Sequence, residues 1–188
     1  MKLDEPDFLR LVENNNSICF FDIESTGFKG DYNSIIVGSV TAYKDKDSMS
    51  FKIAQVGNDK RVVRELKEYL ESFDCWVTYY GKGFDLPMLN TRLLKWGMRP
   101  VEKRPHVDLY FSLKSNLNTS RKSLGHLVSW LNLPDEGQKM GVSADVWNQI
   151  AVDFNKNIKI LTERCESDTF ILRDLYDKTK HLIRTIAR

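Results

Sequence analysis

The sequence predicts a mixed α/β fold, in which a five-stranded sheet of three antiparallel and then two parallel strands carries helices on both faces. Three extended apolar segments joined by short polar turns come first and predict an antiparallel meander. Helical and extended patterns then alternate, as they do where crossover helices join parallel strands. Amphipathic helical patterns fill the C-terminal part of the chain.

The boundaries of these elements follow from the spacing of apolar residues and from the Gly, Asn and Pro residues between them. We expect strands near residues 17–24, 35–43, 48–54 and 75–80, and a brief extended piece at 106–110. We expect helices near residues 4–13, 62–73, 85–96, 124–131, 145–152 and 157–178.

Composition is that of an ordinary globular domain. The 188 residues are 41% hydrophobic and 29% charged, without a linker or repeat, so we expect one domain over residues 1–188. A net charge of +2 gives no argument for a nucleic-acid partner by itself. Cys19, Cys75 and Cys165 lie in apolar patterns and are expected to be buried thiols in a reducing compartment. No apolar run is long enough to span a membrane, so we expect a cytoplasmic protein.

Two carboxylates interrupt the first apolar strand. Asp22 and Glu24 are two residues apart, so their side chains point to the same face of the strand. Buried carboxylates are costly unless they are paired or hold a metal, and two on one face repel each other. The pair therefore indicates a divalent cation. The alternative is the end of a strand where both acids face water and Ser-Thr-Gly turns the chain.

Two further acids lie in positions that need an explanation. Asp85 opens a helix directly after a strand, at the edge where open α/β sheets place their sites, unless it is simply the helix N-cap. Asp168 interrupts the apolar stripe of the last helix between Cys165 and Leu172. It faces the strand acids across a metal site, or else it pairs with a basic residue, and Arg164 lies one turn before it.

Four acids without a nucleophilic motif point to metal-assisted hydrolysis. Sites made of carboxylate oxygens suit Mg²⁺ or Mn²⁺. Two such ions about 3.5–4 Å apart activate a water molecule and stabilise the leaving oxygen of a phosphodiester. The sequence has no GxSxG, HExxH or Walker motif that would indicate a different chemistry.

Three segments carry a resemblance to a known family, namely FDIESTG, YGKGFDLPML and RCESD, in that order. They resemble the three motifs of the DEDD 3′–5′ exonucleases of the ribonuclease H-like superfamily, close to the proteins akin to the proofreading domain of family-B DNA polymerases. The resemblance covers nearly the whole chain. It implies a ribonuclease H-like fold, 3′–5′ hydrolysis of single-stranded DNA or RNA, and two Mg²⁺ or Mn²⁺ ions held by Asp22, Glu24, Asp85 and Asp168.

One position departs from the pattern of that family. Its third motif has a tyrosine four residues before the last aspartate, or a histidine four or five before it, whereas this chain has Arg164 and Glu163. Arginine stays protonated and cannot be a general base, but it can stabilise charge on a phosphate, so Arg164 remains a catalytic candidate. Glu163 and Glu166 point away from Asp168 on a helix, and His106 is a spare candidate base whose more common role is structural.

A strand lying across the acids would need positive charge for its phosphates and aromatic faces for its bases. We predict nucleic-acid contacts at Thr26, Gly27, Lys82, Phe84, Arg121 and Lys122. The alternative for the basic residues is a solvated surface, and the alternative for the aromatic residues is packing in the core. Further aromatic candidates are Tyr79, Tyr80, Tyr110, Phe111 and Trp147.

These observations leave three functions open. The first is a metal-dependent 3′–5′ exonuclease acting on single-stranded nucleic acid. The second is a weakly active or inactive nuclease fold that binds nucleic-acid ends or a protein partner, and Arg164 favours it. The third is a structure-selective endonuclease that uses the same acids.

Overall fold

A computed structural model describes residue 14 and residues 17–133, 146–147, 149 and 152–183. Five strands form one sheet in the order β3-β2-β1-β4-β5. β1 and β2 pair antiparallel, as do β2 and β3, whereas β4 runs parallel to both β1 and β5. The predicted arrangement of antiparallel and then parallel strands is therefore confirmed. The strands are β1 (Ile18–Ser25), β2 (Ile35–Ala42), β3 (Met49–Lys52), β4 (Cys75–Thr78) and β5 (His106–Asp108).

Helices cover both faces of this sheet. They are α1 (Lys60–Leu70), α2 (Asp85–Lys95), α3 (Leu109–Asn116), α4 (Leu124–Trp130) and α5 (Phe154–Thr179). The predicted helix at 4–13 lies outside the described residues, and so does most of the one at 145–152. Within the described part of the chain, no helix is long and apolar enough to cross a membrane.

The prediction of an extended piece at 106–110 is wrong in its second half. The strand stops at Asp108, whose side chain accepts a hydrogen bond from the backbone N–H of Tyr110. This bond satisfies one of the free N–H groups at a helix start, so α3 begins at Leu109.

β1 lies at the centre of the sheet and contributes to a core on each face. Cys19, Phe21 and Ile23 join one buried cluster, which also contains the apolar faces of α1 and α2. Ile18 and Phe20 join the second cluster, with α3, α4 and the C-terminal half of α5. The three cysteines are buried free thiols, as predicted. A strand buried on both faces places any polar side chain along it in a poorly hydrated position.

Candidate active site

The two acids of β1 lie under α5. Asp22 and Glu24 alternate with Phe21 and Ile23, whose side chains belong to the core on the opposite face of the sheet. The S–H of Cys165 in α5 donates a hydrogen bond to the carbonyl oxygen of Asp22, and Sγ lies 3.2 Å from that oxygen. Glu24 is buried, with 8% of its surface exposed. The alternative in which both acids face water at a strand end does not describe this structure.

Asp168 joins the strand acids from α5. It is buried, with 7% of its surface exposed, on the face of the helix that packs against the sheet. One carboxylate oxygen from each of Asp22, Glu24 and Asp168 lies within 4.8 Å of the other two. Carboxylate oxygens converging at this spacing are a ligand set for a hard divalent cation.

Asp85 is held beside this group by the backbone of β1. Its Oδ1 accepts a hydrogen bond from the N–H of Ile23, the residue between the two strand acids, at 3.2 Å. Asp85 is the first residue of α2, and Phe84 occupies the N-cap position. The alternative that Asp85 only caps the helix is therefore wrong. Its carboxylate lies against β1, although it is not part of the close group of three.

Burial and the charges of neighbouring acids raise the pKa values of Asp22, Glu24 and Asp85. Burial raises the pKa of Asp22 well above its ordinary value, and the charges of Asp168, Asp85 and Glu24 raise it further. Burial also raises the pKa of Asp85 to about 7, and Asp108 and Glu24 add to that increase. A divalent cation would offset this repulsion, so the donor set fits a hard divalent cation.

Arg164 supplies positive charge inside the acid group. Its Nε lies 2.7 Å from Oε1 of Glu24, and a terminal nitrogen lies 3.5 Å from Oδ2 of Asp168. Burial lowers the pKa of Arg164, but Asp168 and Glu24 outweigh that effect and raise it. The two alternatives for Asp168 therefore occur together, because the residue joins the acid group and also pairs with an arginine.

Trp147 has a role that the sequence did not indicate. Its indole N–H donates to Oε2 of Glu24 at 2.9 Å, and its ring lies 5.5 Å from the guanidinium of Arg164. Glu24 thus has a donor on each carboxylate oxygen. Because 123 residues separate Trp147 from Glu24, no local pattern reveals this contact.

The residues predicted as candidate general bases make other contacts in the structure. His106 is buried, bonds to the Thr78 hydroxyl at 2.8 Å, and packs edge-on against Trp76. Burial lowers the pKa of His106 to about 3, and the charge of Lys82 adds to the decrease. This environment is that of a structural, neutral histidine.

The two glutamates near Asp168 in sequence are directed elsewhere. Glu166 accepts a hydrogen bond from Ser50 at 2.6 Å, which places it at the β3 side of α5. Glu163 pairs with Lys159 at 3.7 Å on an exposed surface. Neither glutamate belongs to the group of carboxylates around Asp22.

The predicted nucleic-acid contacts lie in three loops. Thr26 and Gly27 follow β1, where the N–H of Thr26 bonds to Ser34 O at 3.0 Å. Phe84 is half-buried and packs edge-on against the exposed ring of Phe28, which the sequence did not single out.

The basic candidates differ in how free their charges are. Lys82 lines a small cleft, and its backbone N–H bonds to Asp108 at 2.9 Å. Arg121 is exposed. The ammonium of Lys122 donates to Leu117 O and to the Thr119 hydroxyl, so part of its role is to hold its own loop.

Comparisons with known proteins agree with this architecture. The family model of the RNase H superfamily matches residues 19–179. The chain is 22% identical to a PolC-type DNA polymerase III of Ureaplasma parvum over 193 residues, covering 89% of this chain and 12% of that protein. It is 31% identical to the uncharacterized protein YprB of Bacillus subtilis over 103 residues, covering 51% of this chain and 24% of that protein. Its fold matches a family B DNA polymerase of Pyrobaculum calidifontis with a TM-score of 0.69 and 19% identity, over 87% of this chain and 24% of that one.

The chain thus spans about an eighth to a quarter of the length of these relatives. The residues that the family model matches contain most of β1 and all of α2 and α5, the elements that carry the four acids.

Proposed function

This chain belongs to the RNase H superfamily, and we propose that it is a metal-dependent 3′–5′ exonuclease that hydrolyses single-stranded nucleic acid by a two-metal-ion mechanism. The observation that carries the proposal is the convergence of Asp22, Glu24 and Asp168 within 4.8 Å. When bound, the cations would activate the attacking water and stabilise the leaving oxygen. The named relatives of the PolC type are DNA polymerases, and a nucleic-acid substrate for this chain is an inference from that similarity.

The residues around the site have distinct roles in this proposal. Asp22, Glu24 and Asp168 supply the ligand oxygens, and Asp85 completes the set from α2. The N–H of Ile23 keeps the Asp85 carboxylate against β1, so the acid stays in place without a cation. The rigid core around β1 fixes the strand acids, which limits the reorganisation that catalysis requires.

Arg164 is the cationic group of the site. With cations held by Glu24 and Asp168, the charge of Arg164 would stabilise a phosphate that carries extra negative charge in the transition state. It cannot take a proton from water at neutral pH, so it does not replace the tyrosine or histidine of related enzymes as a base.

The decisive experiment is an end-labelled cleavage assay. Single strands labelled at either the 5′ or the 3′ end are incubated with Mn²⁺ and the wild type, Asp22→Asn, or Glu65→Gln as a control on the exposed face of α1. We expect a ladder that shortens from the 3′ end with the wild type and the control, and none with Asp22→Asn. Internal cuts would indicate an endonuclease, and intact strands in every lane would overturn the proposed activity.

A second candidate function is a module that binds nucleic-acid ends or a protein partner and cleaves weakly or not at all. The observation that favours it is that Arg164 and Trp147 occupy both carboxylate oxygens of Glu24. Arg164→Tyr separates the two functions. Activity falls if Arg164 stabilises phosphate charge, whereas activity rises from a low level if Arg164 blocks a ligand of the metals.

A further inference from the structure

Tyr80 has a backbone conformation that is unfavourable for its residue type. Its φ is 66°, in the left-handed region that bulky L-residues rarely adopt. Its side chain is nevertheless directed outward, and 45% of the residue is exposed. Strain of this kind persists only where the surroundings enforce it, and it concentrates at functional sites.

The surroundings of Tyr80 enforce this conformation through Asp108. The N–H groups of Tyr80 and Lys82 donate to the two oxygens of the Asp108 carboxylate, each at 2.9 Å. A Cβ on Gly83 would lie 2.4 Å from the Tyr80 ring, so the glycine leaves room for that ring over the loop. The loop is therefore built to present an aromatic side chain to solvent.

The Tyr80 ring is one of three that form a continuous surface, which we call the aromatic ledge (Tyr80, Tyr110 and Phe111). The Tyr80 centroid lies 5.0 Å from that of Tyr110 and 5.7 Å from that of Phe111, and the planes of Tyr80 and Phe111 differ by 32°. Phe111 is 41% exposed. Exposed aromatic faces held by a rigid loop and a helix are a platform for planar apolar groups.

Positive charge borders the aromatic ledge. The ammonium of Lys114 lies 5.7 Å from the centre of the Tyr110 ring. Lys122 lines a cleft of about 410 Å³ together with Tyr79, Tyr80 and Tyr110. A partner that combines flat rings with negative charge matches both features, and single-stranded nucleic acid has this combination.

The aromatic ledge lies at the edge of the sheet that carries the acids. β1, β4 and β5 are parallel, so their carboxyl ends lie at the same end of the sheet. Glu24 lies near the carboxyl end of β1, and the segments that follow β4 and β5 begin at this same end. The chain passes from Tyr80 to Asp85 in one tight turn, in which the N–H of Phe84 bonds to Tyr80 O at 3.0 Å. This turn therefore joins the ledge directly to the fourth acid at the start of α2.

We propose that the aromatic ledge stacks the unpaired bases of a single strand whose 3′ end lies at the acid group, and this inference rests on the proposed function. Stacking on aromatic rings tolerates any base, so the ledge would select single strands over duplexes without reading sequence. Asp108 is then a positioning residue, because it holds Tyr80 in place without touching the strand.

The test measures binding separately from cleavage. Fluorescence anisotropy in EDTA gives the affinity of the wild type for a labelled single strand and for the same strand with abasic sites near its 3′ end. Tyr80→Asn removes the ring but suits the left-handed backbone, so this variant is expected to be at least as stable as the wild type. Phe111→Ala removes the second exposed ring, and Trp130→Ala removes an exposed ring of α4 outside the ledge.

We expect Tyr80→Asn and Phe111→Ala each to weaken binding roughly 5- to 100-fold, with Trp130→Ala unchanged. The wild type should bind the abasic strand more weakly than the intact strand by a similar factor. Tyr80→Asn should bind the two strands with nearly equal affinity, because the ring that stacks the bases is already gone. Equal affinities of the ledge variants and the wild type, or of the abasic and intact strands, would overturn the inference. Base-dependent binding without any cleavage in Mn²⁺ would support the role of the ledge and contradict the proposed exonuclease activity. Cleavage that is equal in the wild type and the ledge variants would support the exonuclease activity and contradict the role of the ledge.

Discussion

At the scale of single residues, the raised pKa of Asp85 predicts how the free energy of unfolding changes with pH. The folded protein keeps the Asp85 proton up to pH about 7, because the carboxyl is buried near Asp108 and Glu24. The unfolded chain releases it near pH ~3.9. The folded state therefore binds more protons between these values, so the free energy of unfolding falls as pH rises through that window and levels off above it.

We expect Asp85→Asn to reduce this slope and to stabilise the cation-free protein at about pH 8, since the amide oxygen can still accept from Ile23. Urea unfolding in EDTA across the window measures both effects. Glu65→Gln serves as the control, because its carboxylate lies on the surface of α1. An unchanged slope in Asp85→Asn would show that other groups carry the pH dependence.

Single site residues could be predicted from the sequence where a charged residue interrupts an apolar pattern. Asp168 was identifiable because it interrupts an apolar stripe, and its place on the same side as Arg164 followed from helical spacing. The ion pair between Arg164 and Glu24 spans 140 residues, so it depends on how α5 crosses the sheet. No local rule specifies that crossing, and the same reason hides the contact of Trp147.

At the scale of secondary-structure elements, one buried carboxylate joins β2, α1 and α2. Asp59 is fully buried and accepts hydrogen bonds from Arg92 at 2.8 and 2.9 Å, from the Trp96 indole at 2.8 Å and from the N–H of Ile35 at 2.9 Å. Arg92 lies on α2, whose first residue is Asp85. This junction therefore helps to fix the helix that carries the fourth acid.

Asp59→Asn is expected to destabilise the protein by about 3–5 kcal/mol, because it leaves the buried guanidinium of Arg92 without its counter-charge. Glu65→Gln removes the charge from half-exposed pairs with Arg61 and Arg64 on α1 and should cost less than about 0.5 kcal/mol. Chemical unfolding of both variants gives the comparison. Similar small losses in the two variants would mean that the junction does not hold α1 and α2 together.

Elements with strong periodicity were predictable, and a short one was not. α1 shows buried Val62, Val63, Leu66 and Leu70 at helical spacing, so its pattern is clear. α3 buries only Leu109 and Leu113, and its first two residues continue the extended pattern that begins at His106, so the pattern indicated a strand there. Its start depends on the contact of the Asp108 side chain with the N–H of Tyr110, which the apolar pattern does not show.

At the scale of the whole molecule, the change from antiparallel to parallel strands followed from the order of patterns along the chain. Short turns imply antiparallel neighbours, and intervening helices imply parallel strands. The pairing of β4 with β1 at the centre of the sheet, and not with β3, depends on long-range packing that no local pattern specifies. The same topology brings the carboxyl ends of β1 and β4 to one edge, which explains why acids far apart in sequence were expected to converge. It does not set the distances between them, which depend on side-chain packing.

Because these acids converge from separate elements, the stability of the whole fold is expected to depend on cation binding. Asp22, Glu24 and Asp168 repel one another in the folded state, and they come from β1 and α5, which unfolding separates. A cation that binds the folded state alone stabilises it by RT ln(1 + [L]/Kd), or about 2.7 kcal/mol at a concentration 100 times the Kd.

We therefore expect Mn²⁺ to raise the thermal midpoint with concentration, and EDTA to reverse the shift. Asp22→Asn should be at least as stable as the wild type without cation, because it removes one of the repelling charges, and it should respond weakly to Mn²⁺. Calcium provides a second hard cation that separates binding from turnover. An equal Mn²⁺ response in Asp22→Asn and the wild type would place the cation elsewhere, since the site that joins β1 to α5 cannot lose a central ligand and keep its full effect on folding.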